Sequence, residues 1–205
     1  RVLTCAGLVE ELGFNIRGSF SPLLHNTGFK LLGLPYTYDL FEVPNVDENV
    51  ERLLQDPKVG GLSVTAPHKL EVGKFMHDIS EEAKTMGSVN TIIASRPPHS
   101  GQRRLFGDNT DWLGITRCIQ GGKVNLVMEG TTAVVLGAGG AARAAVYAFI
   151  KLGIRNIIVV NRTRERANQL AANFPDHNIE IVRSLHTLKQ RSSDKSLKIS
   201  VIVGC

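Results

Sequence analysis

The stretch that most constrains this chain is Val134-Val135-Leu136-Gly137-Ala138-Gly139-Gly140-Ala141-Ala142-Arg143. An apolar, β-rich run ends in a glycine turn, and a helix begins at once. A turn of this kind holds a pyrophosphate. Gly137 permits the tight turn, Gly139 lets the backbone come close to the phosphates, and Ala142 fills the last place of G-x-G-x-x-G/A. The helix N-terminus then offers free N–H groups and a partial positive charge to the anion. The flanks fit: a strand before, a helix to Leu152, Gly153 at its C-cap and a second strand over Asn156–Val160.

The tip of that second strand bears on the cofactor. An NAD-type site places Asp or Glu about 20 residues after the glycines, on the ribose 2′-hydroxyl. Here the chain reads Asn161-Arg162-Thr163-Arg164-Glu165-Arg166, with no acid at the tip and three arginines close together. Guanidinium groups match a phosphate in charge and fork geometry. NADP is therefore expected over NAD. A solvated, charged helix start would carry the same residues, with Thr163 as its N-cap.

The composition, 42% apolar and 21% charged over 205 residues, is that of an ordinary soluble globule. No apolar run approaches the ~18 residues of a membrane span, and no signal peptide is recognisable. The three cysteines, Cys5, Cys118 and Cys205, form no C-x-x-C pair. No disulfide framework and no metal site are expected, and a cytoplasmic setting fits. The net charge of +5 is modest, and the arginine cluster carries part of it. An anionic ligand suffices to explain it, and direct nucleic-acid contact is not expected.

The chain divides near residue 125, giving segments 1–124 and 125–205. In the first, strands are expected over Leu3–Val9, Tyr36–Glu42, Gly61–Thr65, Val89–Ala94 and Leu105–Gly107. Helices are expected over Ser21–Leu32, Val46–Gln55, Pro67–His77, Glu81–Met86 and Thr110–Ile119, with Ser21 as N-cap before Pro22. Arg96–Arg104 reads as a polar loop. The second segment reads β-α-β-α-β through Val182, then a weak helix over Leu185–Gln190 and a strand over Lys198–Val203. Alternating elements predict two α/β domains with mostly parallel sheets. The second is Rossmann-like and incomplete, about two strands short of a full sheet, so its C-terminal part is expected to be missing.

Polar residues gather at three places in the first segment. Ser19-Phe20-Ser21-Pro22-Leu23-Leu24-His25-Asn26 puts two hydroxyls at a helix start, which suits a polyol or a carboxylate. Ser63-Val64-Thr65-Ala66-Pro67-His68-Lys69 ends a buried strand in Thr, a turn and Lys. Apolar surroundings can make such a lysine a proton-transfer group. Gly107-Asp108-Asn109-Thr110-Asp111-Trp112-Leu113-Gly114 opens a helix with acids, and Ser88-Val89-Asn90-Thr91 adds an Asn in a strand. Capping accounts for individual residues. It does not account for their shared place at strand ends, where α/β ligands bind.

Together these stretches resemble the shikimate dehydrogenase family, whose motifs are S-x-S-P-x-x-H-N, (N/S)-V-T-x-P-x-K, G-(A/S)-V-N-T, G-x-N-T-D-x-x-G, G-A-G-G-A-x-R-A and N-R-T. All six occur here in order, and the form is most similar to the fungal branch, which includes the C-terminal domain of the pentafunctional arom protein. The resemblance implies that Lys69 and Asp111 are the catalytic pair, and that Ser19, Ser21, Thr65 and Asn90 line a shikimate site with them. It implies that Gly137, Ala138, Gly139, Gly140 and Ala141 hold the pyrophosphate of NADP. Asn161, Arg162, Thr163 and Arg166 would take the 2′-phosphate. The small-molecule partner would be shikimate, dehydroshikimate or quinate, and the resemblance implies a fusion to other shikimate-pathway-like domains as one arrangement.

Two departures stand out. The family's opening turn usually reads G-x-P-I, whereas this chain has Gly13-Phe14-Asn15-Ile16-Arg17-Gly18 after an acidic Val9-Glu10-Glu11-Leu12. The family's last portion, with a substrate-contacting Gln, is absent. An alternative follows from the resemblance: a dehydrogenase-like domain of a fungal quinate-pathway repressor, which would sense a metabolite in the nucleus without turning it over.

Overall fold

The computed structural model describes residues 7–96, 101–122, 130–192 and 197–205. The chain forms two compact units, residues 1–84 with 88–109, and residues 85–87 with 110–205. The sequence division near 125 leaves the helix after Asp108 in the first segment. In the structure that helix belongs to the second unit.

The first unit is built on a six-stranded sheet in the order β2-β1-β3-β5-β6-β4. Its strands are β1 (Gly7–Gly13), β2 (Tyr36–Glu42), β3 (Val59–Val64), β4 (Asp78–Ile79), β5 (Thr91–Ser95) and β6 (Arg104–Asp108). β1 pairs parallel with β2 and β3, while β5 runs antiparallel to both its neighbours. One edge of the sheet therefore collects the ends of β1, β2, β3 and β6 and the start of β5. Gly13 lies opposite Glu42, Ser63 opposite Thr91, and Thr91 opposite Asp108.

Helix α1 (Ser21–Leu31) docks on β2 through Asn26, whose side chain accepts from the Tyr38 N–H and donates to its carbonyl, both at 2.8 Å. The His25 ring stacks on Tyr38 at 4.4 Å. No α1 residue is fully buried, and Phe20, Leu23, Leu24 and Leu31 are exposed. Helix α2 (Glu48–Gln55) is amphipathic: Val50 and Leu54, four residues apart, are buried, and Asp47 caps it by accepting from the Asn49 N–H at 2.9 Å. These side chains join Leu12, Val59, Leu62, Val64 and Ile92 in one core.

Several local expectations give way. The first strand, described over Gly7–Gly13, continues past the expected end at Val9; residues 3–6 of the expected strand lie outside the described residues. Its acidic Glu10 and Glu11 are buried in the sheet. Ser21 is not a cap: the N-cap position is Phe20, and the Ser21 N–H donates to Ser19 Oγ at 3.2 Å. Pro67–His77 forms two 3₁₀ turns, His68–Leu70 and Val72–Phe75, instead of a helix. The buried His68 ring is tied to the Val43 carbonyl at 2.8 Å, a bond that holds the first turn beside the end of β2. Helix α3 (Glu81–Met86) then leads to β5. Of the polar loop, residues 97–100 are outside the described residues.

The second unit holds a parallel sheet in the order β10-β7-β8-β9, with β7 (Thr132–Leu136), β8 (Asn156–Val160), β9 (Ile179–Val182) and β10 (Ile199–Gly204). The strands of a sheet covered on both faces read as continuous apolar runs, and β7 and β8 do. Helix α5 (Gly140–Lys151) has every residue from Ala142 to Phe149 buried. Its alanines favour the helix and allow close packing on the sheet. Helices α4 (Asp111–Gly121), α6 (Arg164–Ala172) and α7 (Leu185–Ser192) complete the unit. Trp112 of α4 meets Tyr147 of α5 edge-on at 5.2 Å. The order reverses between β7 and β10, and the glycine turn leaves β7 at this switch point, where doubly wound sheets bind ligands. Among the described residues, no helix is long and apolar enough to cross a membrane. No group of three or more His, Cys, Asp or Glu among them is placed to hold a metal.

Candidate functional site

In the first unit one end of the sheet brings Thr65, Lys69 and Asn90 to neighbouring backbone positions. The Thr65 N–H donates to the Leu12 carbonyl at 2.9 Å, and the Phe14 N–H to Ala66 at 3.2 Å, so the exits of β1 and β3 run side by side. The Ala66–Pro67 bond is cis. The first 3₁₀ turn then carries Lys69, whose carbonyl accepts from the Val89 N–H at 2.8 Å. The Val64 N–H donates to Asn90 at 2.7 Å, and Thr91 Oγ donates to the Asn90 side chain at 2.8 Å. Thr65, Lys69 and Asn90 are all partly exposed.

Beneath the Ser19–Ser21 corner lies a residue the motifs do not include. Ser19 Oγ donates to Glu11 Oε2 at 2.5 Å, and the two serine oxygens stand 3.1 Å apart. Tyr38 is buried beside them. Burial raises its pKa, with the Glu11 charge adding to the rise, while hydrogen bonding from Ser63 and Ser21 opposes it. The Asn15–Gly18 loop frames a recess of about 340 Å³ with Glu42. Asn15 adopts φ 58°, and the exposed Arg17 guanidinium pairs with Glu42 at 3.7 Å. The cation beside the site thus has its own counter-ion.

Asn109 is fully buried and donates to the Ser88 carbonyl at 2.9 Å. It locks the entry to α4 rather than capping it. The cap position is Thr110, whose side chain makes no cap bond, and Asp111 is the first helical residue, where its charge complements the helix dipole.

In the second unit the glycine turn has the geometry a phosphate requires. Gly137 holds φ +118°, and a Cβ there would stand 2.8 Å from the Cys205 carbonyl oxygen, so only glycine fits. Gly139 is the N-cap of α5, without a side-chain bond to the first-turn N–H groups, and its Cβ position meets nothing within 4 Å. Gly140 and Ala141 open the helix and Ala138 is buried. The α5 N-terminus therefore presents orphan donors to open space.

At the tip of β8, Asn161 donates to the Thr163 carbonyl at 2.6 Å and shapes the turn into α6. Thr163 occupies the N-cap position but makes no side-chain cap bond. Arg162, Arg164 and Arg166 are exposed, with no ion-pair partner among the described residues. The resulting donor set, an uncapped helix and free guanidinium groups, fits a dinucleotide with an extra phosphate. Arg143, within the glycine motif, serves the fold instead: it is buried and donates to the Met86 carbonyl at 3.2 Å and to Asn173 at 2.7 Å. The arginine in the motif gives a sequence signal, but its partners are not readable there.

Residues 12–92 match the model of the shikimate dehydrogenase substrate binding domain, and residues 122–201 that of shikimate / quinate 5-dehydrogenase. The pentafunctional AROM polypeptide of Mycosarcoma maydis is 42% identical over 192 residues, which is 92% of this chain and 11% of that polypeptide. The chain thus spans about a tenth of the length of the curated relatives it matches. The shikimate dehydrogenase crystal structure from Aquifex aeolicus superposes with a TM-score of 0.77 at 32% identity, covering 100% of this chain and 70% of that one. Shikimate 5-dehydrogenase from Thermus thermophilus, crystallised in complex with NADP(H) and shikimate, gives a TM-score of 0.68 at 31% identity, over 86% of this chain and 62% of that one. With both family models matched in order on the two units, this chain belongs to the shikimate dehydrogenase family.

Proposed function

We propose that the chain is the dehydrogenase part of a cytoplasmic protein that interconverts 3-dehydroshikimate and shikimate, or the quinate pair, with NADP as cofactor. The observation that carries this reading is the uncapped α5 N-terminus behind Gly137, together with the unpaired arginines at the β8 tip. Gly137–Ala141 would hold the pyrophosphate through backbone N–H groups. Asn161, Arg162, Thr163 and Arg166 would hold the 2′-phosphate. The relative from Thermus thermophilus, in complex with NADP(H) and shikimate, supports both ligands by likeness.

When bound, the nicotinamide ring supplies or takes the hydride; the protein contributes binding, orientation and charge. Ser19, Ser21, Thr65 and Asn90 would orient the substrate through its hydroxyls and carboxylate. In the reducing direction the Lys69 ammonium donates to the ketone oxygen and gives it a proton. In the oxidising direction Lys69 takes that proton back. Asp111 would accept a hydrogen bond from a substrate hydroxyl and hold it for transfer. No metal enters the scheme.

Lys69→Ala in the full-length protein tests the assignment. Turnover should fall by about 10²–10⁴-fold, the contribution typical of a general acid–base group, with substrate affinity largely kept. Turnover at the wild-type rate would remove Lys69 from the chemistry. Binding of both ligands by the wild type without any turnover would support a sensing domain instead.

A further inference from the structure

The motif (N/S)-V-T-x-P-x-K leaves the residue before its lysine open, and in this chain that residue is His68. His68 is 1% exposed, whereas Lys69 beside it is partly exposed. The His68 Nε2 stands 2.8 Å from the Val43 carbonyl oxygen. A carbonyl only accepts, so Nε2 carries the hydrogen. The other ring nitrogen, Nδ1, is buried and has no hydrogen-bond partner among the described residues. The Val43 bond is therefore the polar anchor of the ring. Val43 is itself fixed, because its N–H donates to the Gly13 carbonyl at 3.0 Å, where β1 ends. On the other side, the Lys69 carbonyl takes the Val89 N–H at 2.8 Å. In the strand order β2-β1-β3-β5 these two bonds reach away from β3 in opposite directions, one past β1 to the exit of β2 and one to the approach to β5. The turn that carries Lys69 is clamped between them.

We propose that His68 is a positioning residue: through the Val43 bond it sets where the Lys69 stem begins, and so where the ammonium meets the substrate. The inference rests on the reading that Lys69 transfers the proton. Bonds inside the turn, from the His68 N–H to the Thr65 carbonyl and from the Glu71 N–H to the His68 carbonyl, fix its local shape but not its place on the sheet. The ring bond spans 25 residues of chain and supplies that place from the β2 side. A side chain of similar bulk without a donor fills the space but leaves the Val43 carbonyl without this hydrogen. The turn is then free to shift while the sheet beneath it stays. Proton transfer needs the lysine within hydrogen-bond reach of the ligand oxygen, and a misplacement of about 1 Å costs up to about 10²-fold in rate.

The test measures steady-state turnover of the full-length protein with NADP⁺ and whichever of shikimate and quinate the wild type oxidises. His68→Leu and His68→Phe remove the donor, while His68→Gln keeps an amide N–H that reaches the place of Nε2. In the Leu and Phe variants kcat should fall by about 10–10²-fold with KM nearly unchanged, and the Gln variant should recover most of the loss. Leu54→Ala opens a cavity in the core of the same unit and spares the Val43 bond, so it should lower stability and leave kcat near the wild-type value. Wild-type kcat in both variants that lack the donor overturns the inference. So does a loss that His68→Gln fails to recover, or one that Leu54→Ala matches. Failure of both donor-free variants to fold overturns it as well, since the bond then serves the fold alone. Lys69→Ala judges the dehydrogenase reading separately: turnover at the wild-type rate there removes that reading, and this inference with it, whatever the His68 variants do.

Discussion

A methyl group added at Gly137 and one added at Gly139 should do opposite things. At Gly137 the backbone holds φ +118°, a conformation that costs an L-residue about 1–3 kcal/mol. The new Cβ would also stand 2.8 Å from the Cys205 carbonyl oxygen, inside the ordinary contact range that begins near 3.4 Å. That oxygen belongs to backbone held by the Cys205 N–H bond to Leu136 at 2.9 Å, so relief requires moving the end of β10. We predict that Gly137→Ala lowers the free energy of unfolding by about 2–4 kcal/mol, the range for strain combined with overpacking. At Gly139 the Cβ meets nothing within 4 Å and φ is −87°. Gly139→Ala should leave stability within about 0.5 kcal/mol of wild type, as surface substitutions do. If the phosphates lie on this turn, the same methyl occupies their approach, and NADPH affinity should fall at least about tenfold. Urea unfolding followed by circular dichroism and NADPH titration by fluorescence give the two readouts. A Gly137→Ala protein as stable as wild type would refute the steric argument. Undiminished NADPH affinity in Gly139→Ala would refute the placement of the pyrophosphate.

Arg162→Asp should weaken NADP(H) by about 1.5–3 kcal/mol, the worth of a hydrogen bond to a charged group, and leave NAD(H) nearly unchanged; equal losses for the two cofactors in parallel titrations would contradict this. Glu10 is buried with Oε2 unpartnered, and burial, then Asp39 and Asp56, raise its pKa above the ordinary 4.5. The folded state thus binds this proton more tightly than the unfolded chain. The group's contribution to stability is greatest below pH 4.5 and is lost as pH rises through the raised folded value. Glu10→Leu should therefore stabilise the protein at pH 7 by about 1–3 kcal/mol and flatten its acid-side pH dependence, which urea midpoints at several pH values will show. Asn109→Ala should cost about 1–3 kcal/mol by orphaning the buried Ser88 carbonyl, measured by the same unfolding assay.

The nucleotide unit was the most legible part of the sequence because its signals are local. Continuous apolar runs, a glycine turn and an alanine-rich helix each state their structure within a dozen residues. The order β10-β7-β8-β9 is set by crossovers and could be anticipated only from fold rules. The first strand reads as ending at Val9 because Glu10 and Glu11 look like a polar break, whereas pairing with β2 and β3 draws both into the sheet. Local pattern yields there to tertiary burial. Ser21 fits a cap by sequence, but Ser19 takes the N–H bond with it and turns its own hydrogen to Glu11. The Pro67–His77 stretch has helical composition, yet the His68 bond to Val43, 25 residues away in the chain, decides its shape. The family motifs named Lys69, Asp111 and the serines. They could not name Glu11, which lies upstream of every motif and matters through a contact eight residues on.

The central claim is that this chain's residues carry NADP-dependent oxidation of a cyclic polyol acid. The most direct measurement is a steady-state assay of the full-length wild-type protein with NADP⁺ and NAD⁺, each against shikimate and quinate. The account predicts NADP⁺ reduction with at least one of the two substrates, and a kcat/KM for NADP⁺ at least about tenfold above that for NAD⁺, as expected from one charge-assisted phosphate contact. Equal use of the two cofactors, or no turnover by a protein that binds both ligands, would contradict it.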